Sequence, residues 1–198
     1  MKRMLDLFSG LKGASKAFIN AEEWEVITID NNLELNPTHC MDVSQLVDSE
    51  LLAEWIQWSI DNGRPYFDLI WASPPCIEFF KCRAPWFPEY YGKEPSLDLV
   101  KISKYLIEAL KPETWIIENT KSGHYYIQDI LGKPRQKLGP FYLWGNFPKL
   151  NIEVPENHKL KIDPGSKNPL RSNIRAKIPY ALSQDLFDTL KYQSKLNF

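Results

Sequence analysis

Short apolar runs alternate along this chain with stretches whose apolar positions recur every three or four residues. Met4 to Phe8 is a strand-like run that stops at Ser9-Gly10, and helical spacing follows from about Gly13 to Asn20. Glu25 to Ile29 is rich in β-branched residues and ends in the turn cluster Asp30-Asn31-Asn32. Ser44 is placed to cap a helix reaching about Ile60, with Leu46, Leu51, Leu52, Trp55 and Ile56 near helical spacing. Phe67 to Ala72 predicts a third strand, halted by Ser73-Pro74-Pro75, and Ser96 predicts a cap for a helix carrying Leu99, Ile102, Leu106 and Leu110. Thr114 to Ile117 predicts a fourth strand before Glu118-Asn119, and Phe141 to Trp144 another before Gly145-Asn146.

Strands separated by helices predict an α/β fold: a mostly parallel, Rossmann-like sheet with helices on both faces. Prolines 148, 155, 164 and 169 make residues 146–173 loop-rich, and a last helix is expected from near Pro179 with Leu182, Leu186, Phe187 and Leu190 inward. With no repeat or low-complexity tract, one domain over 1–198 is the economical expectation.

A hydrophobic content of 43% is globular rather than disordered. The formal net charge of -1 lacks the basic excess of a protein that coats DNA nonspecifically. The charge is uneven, however. Lys133, Arg135, Lys137, Lys149, Lys159, Lys161, Lys167, Arg171, Arg175 and Lys177 outnumber Glu153, Glu156 and Asp163 in that stretch, a surplus that suits phosphates or merely a solvated loop. Cys40, Cys76 and Cys82 give no paired disulfide framework, and the start lacks the apolar run of a signal peptide. No run approaches the roughly 18 apolar residues of a membrane span. A reducing cytoplasm is the expected setting, and the scattered His39, His124 and His158 argue against zinc, so no metal is expected.

In an open α/β sheet, ligands lie beyond the carboxyl ends of the strands. Gly10 and Gly13 allow close backbone approach at a helix N-terminus, although any tight strand-to-helix turn looks alike. Asp30 could accept both hydroxyls of a ribose; Asp42 could reach an adenine edge or simply start a helix. Cys76 follows two stiff prolines, so its thiol is presented from a fixed loop. A thiolate there could act as a nucleophile, and Glu118 at the next strand's end could hydrogen-bond a ring nitrogen and an exocyclic amine.

Taken in order, these segments resemble the DNA cytosine-5 methyltransferase family. Asp6-Leu7-Phe8-Ser9-Gly10-Leu11-Lys12-Gly13 is similar to its cofactor turn, with Lys12 in place of a glycine. Ala72-Ser73-Pro74-Pro75-Cys76 resembles the catalytic Pro-Cys loop, and Ile116-Ile117-Glu118-Asn119-Thr120 the Glu-Asn-Val motif. Gly132 to Lys137 partly resembles a Gly-x-Pro-Gln-x-Arg-x-Arg segment, and Ile178-Pro179 the final motif without its usual Asn. Compact, phage-like members, with Pro-Pro-Cys and a Tyr-Leu-Trp-Gly strand, are the most similar. The resemblance spans about residues 3–145 and 174–192.

It implies S-adenosylmethionine held by Asp6, Phe8, Ser9, Gly10, Gly13, Asp30, Asn31, Asp42 and Pro74. It implies Cys76, Glu118 and Asn119 as catalytic residues, and Pro75, Lys81, Arg83, Arg135 and Lys137 as contacts to DNA. Cytosine C5 reacts poorly with a methyl sulfonium until a thiolate adds to C6, which is why this chemistry uses a cysteine. The ring must be flipped out of a duplex or already be single-stranded. Residues 77–91, with Phe79, Phe80, Trp86, Phe87, Tyr90 and Tyr91, could close over it or form an aromatic-anchored surface loop. Residues 146–173 are too few for the family's usual target-recognition region, so a partner protein could supply recognition. The same chemistry on RNA or a pyrimidine nucleotide, and a non-enzymatic nucleic-acid-binding relic, are the alternatives.

Overall fold

The structure, a computed structural model, describes residues 1–156 and 167–196, with side chains through residue 192. Strands β1 (Lys2–Leu7), β2 (Trp24–Asp30), β3 (His39–Cys40), β4 (Leu69–Ala72), β5 (Thr114–Thr120), β6 (Gln136–Leu138) and β7 (Phe141–Asn146) form one sheet in the order β3-β2-β1-β4-β5-β7-β6. The first five run parallel; β7 is antiparallel to both β5 and β6. The chain therefore forms the expected Rossmann-like α/β arrangement. Its order reverses between β1 and β4, the point at which open sheets of this kind form their ligand crevice, beyond the strands' carboxyl ends.

Side chains of period two along each strand feed two cores. Leu5, Leu7, Ile29, Ile70, Ala72 and Ile117 pack on one face under α2 (Val43–Leu46), α3 (Glu50–Asn62), α5 (Asp98–Leu110) and α6 (Lys121–Leu131). Met4, Leu69, Trp71 and Ile116 pack on the other under α1 (Lys16–Ile19) and α8 (Tyr180–Leu196). Each fully buried Leu or Ile among them contributes about 1.5–3 kcal/mol. Two short helices complete the set, α4 (Ile77–Lys81) and α7 (Arg171–Ala176).

Several boundaries differ from expectation for identifiable reasons. The single helix expected from Ser44 is two, because Asp42 caps α2 in a reciprocal box with Gln45 and Ser49 separately caps α3 by accepting from the Leu52 amide. Strand β5 continues through Glu118 and Asn119 because β7 supplies antiparallel partners, Leu143 and Tyr142, beyond the point where β4 ends. The loop-rich segment 146–173 contains the start of α7; its residues 157–166, with Lys159, Lys161 and Asp163 of the basic stretch, lie outside the described residues.

Helix α8 closes the fold onto the turn after β1. The Ser183 hydroxyl donates to the Ala14 carbonyl at 2.5 Å and accepts from the Ala17 amide at 3.0 Å. Just before this lock, a Cβ at Gly13 would overlap the Ile178 carbonyl oxygen. Gly13 is thus demanded by the Ile178-Pro179 backbone lying against it. Gly13→Ala is expected to lower stability by at least about 2 kcal/mol, read as a reduced urea midpoint at constant m value. An unchanged midpoint would contradict this close approach.

Candidate active site

Strands β4 and β5 run side by side with Ala72 opposite Ile117. The residues that follow on each, Ser73-Pro74 and Glu118-Asn119, are therefore neighbours at the mouth of the crevice. Pro74 is buried, and its carbonyl accepts from Asn119 Nδ2 at 2.9 Å, while Asn119 Oδ1 accepts from the Thr120 amide at 2.9 Å. A Cβ at Gly123 would overlap Asn119 Oδ1, so the first turn of α6 leaves room for this amide only because that residue is glycine. Asn119, expected among the catalytic residues, is placed as a clamp on the proline loop.

The clamped loop delivers Cys76 to the start of α4, half-buried, at φ −94° and ψ 0°. Phe79, one turn on, is buried and stacks on Tyr126 at 5.8 Å, anchoring α4 to α6. Cys82 lies in the core and Cys40 at the end of β3, and no disulfide joins the three thiols. Glu118 is 7% exposed. Burial pushes its pKa up to about 7, against the opposing effect of a hydrogen bond from the Ser73 side chain. Ser73 in turn accepts from the Trp71 indole at 2.7 Å. A half-buried thiol on the loop after β4 and a carboxyl on β5 able to hold a proton at neutral pH thus come from adjacent strands.

The glycine turn after β1 meets the end of β2. Phe8, Gly10 and Lys12 all have positive φ, 58°, 50° and 55°. Lys12 holds a left-handed backbone that a glycine would adopt more cheaply, and its ammonium is tied to the Asn36 carbonyl at 2.6 Å. The Asp30 carboxylate accepts from the Gly10 amide at 2.8 Å through one oxygen and from the Asn32 amide at 3.0 Å through the other. Asn31, beside it, is exposed. Asp6 is buried and accepts from the Ser15 hydroxyl at 2.5 Å; burial lifts its pKa to about 7, and the nearby Asp30 charge adds to that rise. Ser9 Oγ is buried with no hydrogen-bond partner, an orphaned polar atom in this turn. The Asn173 amide of α7 lies 3.7 Å from where a Gly10 Cβ would stand. An orphaned hydroxyl, a left-handed turn and an acid at the next strand's end fit the ribose and amino-acid groups of S-adenosylmethionine.

Several other expected residues have contacts of their own. Asp42 caps α2, its carboxyl held below the ordinary range by the Ser44 hydroxyl and amide. Lys137 lies on β6, paired with Glu156 at 2.5 Å, and the exposed Arg135 guanidinium lies 5.5 Å from the Phe147 ring. Lys81 and Arg83 rest on rings, 4.4 Å from Tyr90 and 3.9 Å from Tyr125. Around them Phe80, Tyr91 and Tyr125 are exposed, and Trp86 is 70% exposed. The residues missed by sequence reasoning are Trp71, Ser73 and Gly123. Trp71 and Ser73 had a signal, since alternate positions on a strand share a face. Gly123 had none.

Among the described residues, no group of three or more His, Cys, Asp or Glu side chains could hold a metal ion, and no helix is long and apolar enough to cross a membrane. No family model matches the chain. It is 30% identical over 132 residues to a protein of Frog virus 3 (isolate Goorha) named "Probable DNA (cytosine-5)-methyltransferase"; the match covers 61% of this chain and 55% of that relative. The chain thus matches about half the length of the curated relative. The likeness to DNA cytosine-5 methyltransferases carried by the motifs is found again in this relative. A solved structure of a protein named "putative DNA modification methyltransferase encoded within prophage" (E. coli) matches with a TM-score of 0.47 and 20% identity, over 83% of this chain and 52% of that one.

The raised Glu118 pKa makes stability depend on pH. The folded value, about 7, lies above the ordinary 4.5, so this group's contribution is fully present below pH 4.5 and is lost as pH rises through 7. Glu118→Gln removes the ionisation. At pH 8 the variant is expected to exceed the parent in stability by on the order of 3 kcal/mol, and near pH 4.5 by almost nothing. Denaturant melts at the two pH values check this; an equal difference at both would contradict it.

Proposed function

We propose that this chain is an S-adenosylmethionine-dependent methyltransferase that methylates C5 of cytosine in DNA. The observation that carries the reading is the clamp between strands: Asn119 holds the Pro74 carbonyl, so the Cys76 loop is fastened to the strand that bears proton-holding Glu118. The match with the Frog virus 3 relative supports the same reading.

In this reading Ser9, Gly10 and Asp30 hold the cofactor, and Asp6 shapes their turn through Ser15. When bound, the cofactor supplies an electrophilic methyl group. Cys76 gives up its proton to water and its sulfur adds to C6 of the cytosine, which makes C5 nucleophilic. Glu118, protonated near neutral pH, donates to N3 and stabilises the charge that develops on the ring. Once C5 carries its new substituent, the C5 proton leaves to a base or water, its electron pair re-forms the C5–C6 double bond, Cys76 leaves as the thiolate, and the N3 proton returns to Glu118. Asn119 takes no part in bond changes; it keeps the loop in place.

The substrate in this reading is a single-stranded or flipped cytosine. Exposed Phe80, Trp86, Tyr91 and Tyr125, with Lys81 and Arg83 among them, offer ring faces to unstacked bases and cations to phosphates. The short segment 146–173 leaves little material for reading a target sequence, so recognition is assigned to a partner protein or dispensed with.

Labelled methyl transfer to deoxycytidine monophosphate, single-stranded DNA, duplex DNA and RNA tests the proposal. Single-stranded DNA is expected to be methylated fastest, and Cys76→Ser to abolish turnover while cofactor affinity stays nearly intact. Absence of transfer to every pyrimidine substrate would overturn it. Asp30→Ala is expected to weaken the cofactor by about 1.5–3 kcal/mol, measured calorimetrically; unchanged affinity would remove Asp30 from the cofactor site.

A further inference from the structure

Glu118 does not stand alone in the crevice. Trp71 and Ser73 lie two positions apart where β4 ends, so their side chains share a face. The pairing of Ala72 with Ile117 sets Glu118 on that same face beside Ser73. Trp71 is fully buried, and its indole N–H reaches Ser73 Oγ at 2.7 Å.

An indole N–H can only donate. By filling one lone pair of the Ser73 oxygen, it leaves the hydroxyl hydrogen as the group that turns toward Glu118. The chain runs from indole to hydroxyl, and from hydroxyl to carboxyl, where the Ser73 hydrogen bond opposes the effect of burial on Glu118.

We infer that Trp71 and Ser73 are positioning residues, which dedicate one Glu118 oxygen to accepting from Ser73 and so keep the acidic proton on the other oxygen, where it faces the pyrimidine ring. The inference rests on the function proposed for this site. A carboxylic acid whose two oxygens are equivalent presents its proton to the ring only part of the time. Fixing the acceptor oxygen removes that loss and orients the carboxyl plane as well. Ser73 also stabilises the carboxylate, partly offsetting burial, so the acid remains able to exchange its proton near neutrality rather than being locked as a neutral group.

The test begins on the protein without cofactor or substrate. Infrared spectra of the full chain across pH, with Glu118→Gln identifying the band, follow the protonated carboxyl of Glu118. Ser73→Ala is expected to move its midpoint upward, Ser73→Thr to restore it, and Trp71→Phe to move it upward by less than Ser73→Ala does. In methyl-transfer assays, Ser73→Ala is expected to lower kcat about tenfold with KM for a single-stranded oligonucleotide unchanged. If Ser73→Ala does not fold, Ser73→Cys, a weaker donor, carries the same expectation. A midpoint unmoved in these variants, or not restored by threonine, would overturn the inference. The two readings fail separately: a moved midpoint without methyl transfer to any substrate removes the proposed function and leaves the hydrogen-bond chain standing. Methyl transfer with an unmoved midpoint does the reverse.

Discussion

The site hangs on one alignment, the parallel pairing of β4 with β5, and on the hydrogen bond that extends it past the end of β4. Pro74 cannot donate a main-chain hydrogen bond, and its carbonyl is buried, so the loop has no ladder of its own. Leaving that carbonyl unpaired would cost about 1–3 kcal/mol. The Asn119 side chain takes the place of a strand partner, and Gly123 vacates the volume the amide needs. Through this contact, the position of Cys76 becomes a property of the sheet rather than of a loop.

Two buried acids lie near the carboxyl ends of two of the central strands, and both have pKa values near 7 because burial opposes their charge. In Asp6 the hydroxyl of Ser15 answers the carboxyl, and the group sits behind the glycine turn. In Glu118 the answering hydroxyl is Ser73, and the next residue, Asn119, clamps the proline loop. Both acids lose stability for the fold as they ionise, which is the usual signature of groups kept for chemistry or for holding a ligand rather than for folding. The same desolvation that weakens the fold at high pH is what would let Glu118 carry a proton to a base.

Much of this was legible in the order of residues. The strand-ending polar groups Ser9-Gly10, Asp30, Pro74-Cys76 and Glu118-Asn119 were readable because an open sheet gathers its strand ends at one edge, whatever the helices between them do. Local patterning could not show that β5 runs on through Asn119, since the partner that extends it, β7, comes more than twenty residues later. Nor could it separate Asp42, an acid committed to capping α2, from Asp30, an acid aimed at the glycine turn. Both follow short extended stretches, and only the neighbours that their carboxylates meet tell them apart. Lys137 was readable as a cation near the right motif, but its pairing with Glu156 depends on how the chain returns after β7.

The measurement that bears most directly on the central claim is covalent capture. A single-stranded oligonucleotide bearing one 5-fluorocytosine, incubated with the protein and S-adenosylmethionine, should give a complex stable to denaturation, because fluorine cannot leave C5 as a proton does. Peptide mass spectrometry is expected to place the linkage on Cys76 and to find none in Cys76→Ser. Linkage at Cys40 or Cys82, or methyl transfer that proceeds without any covalent complex, would contradict the account.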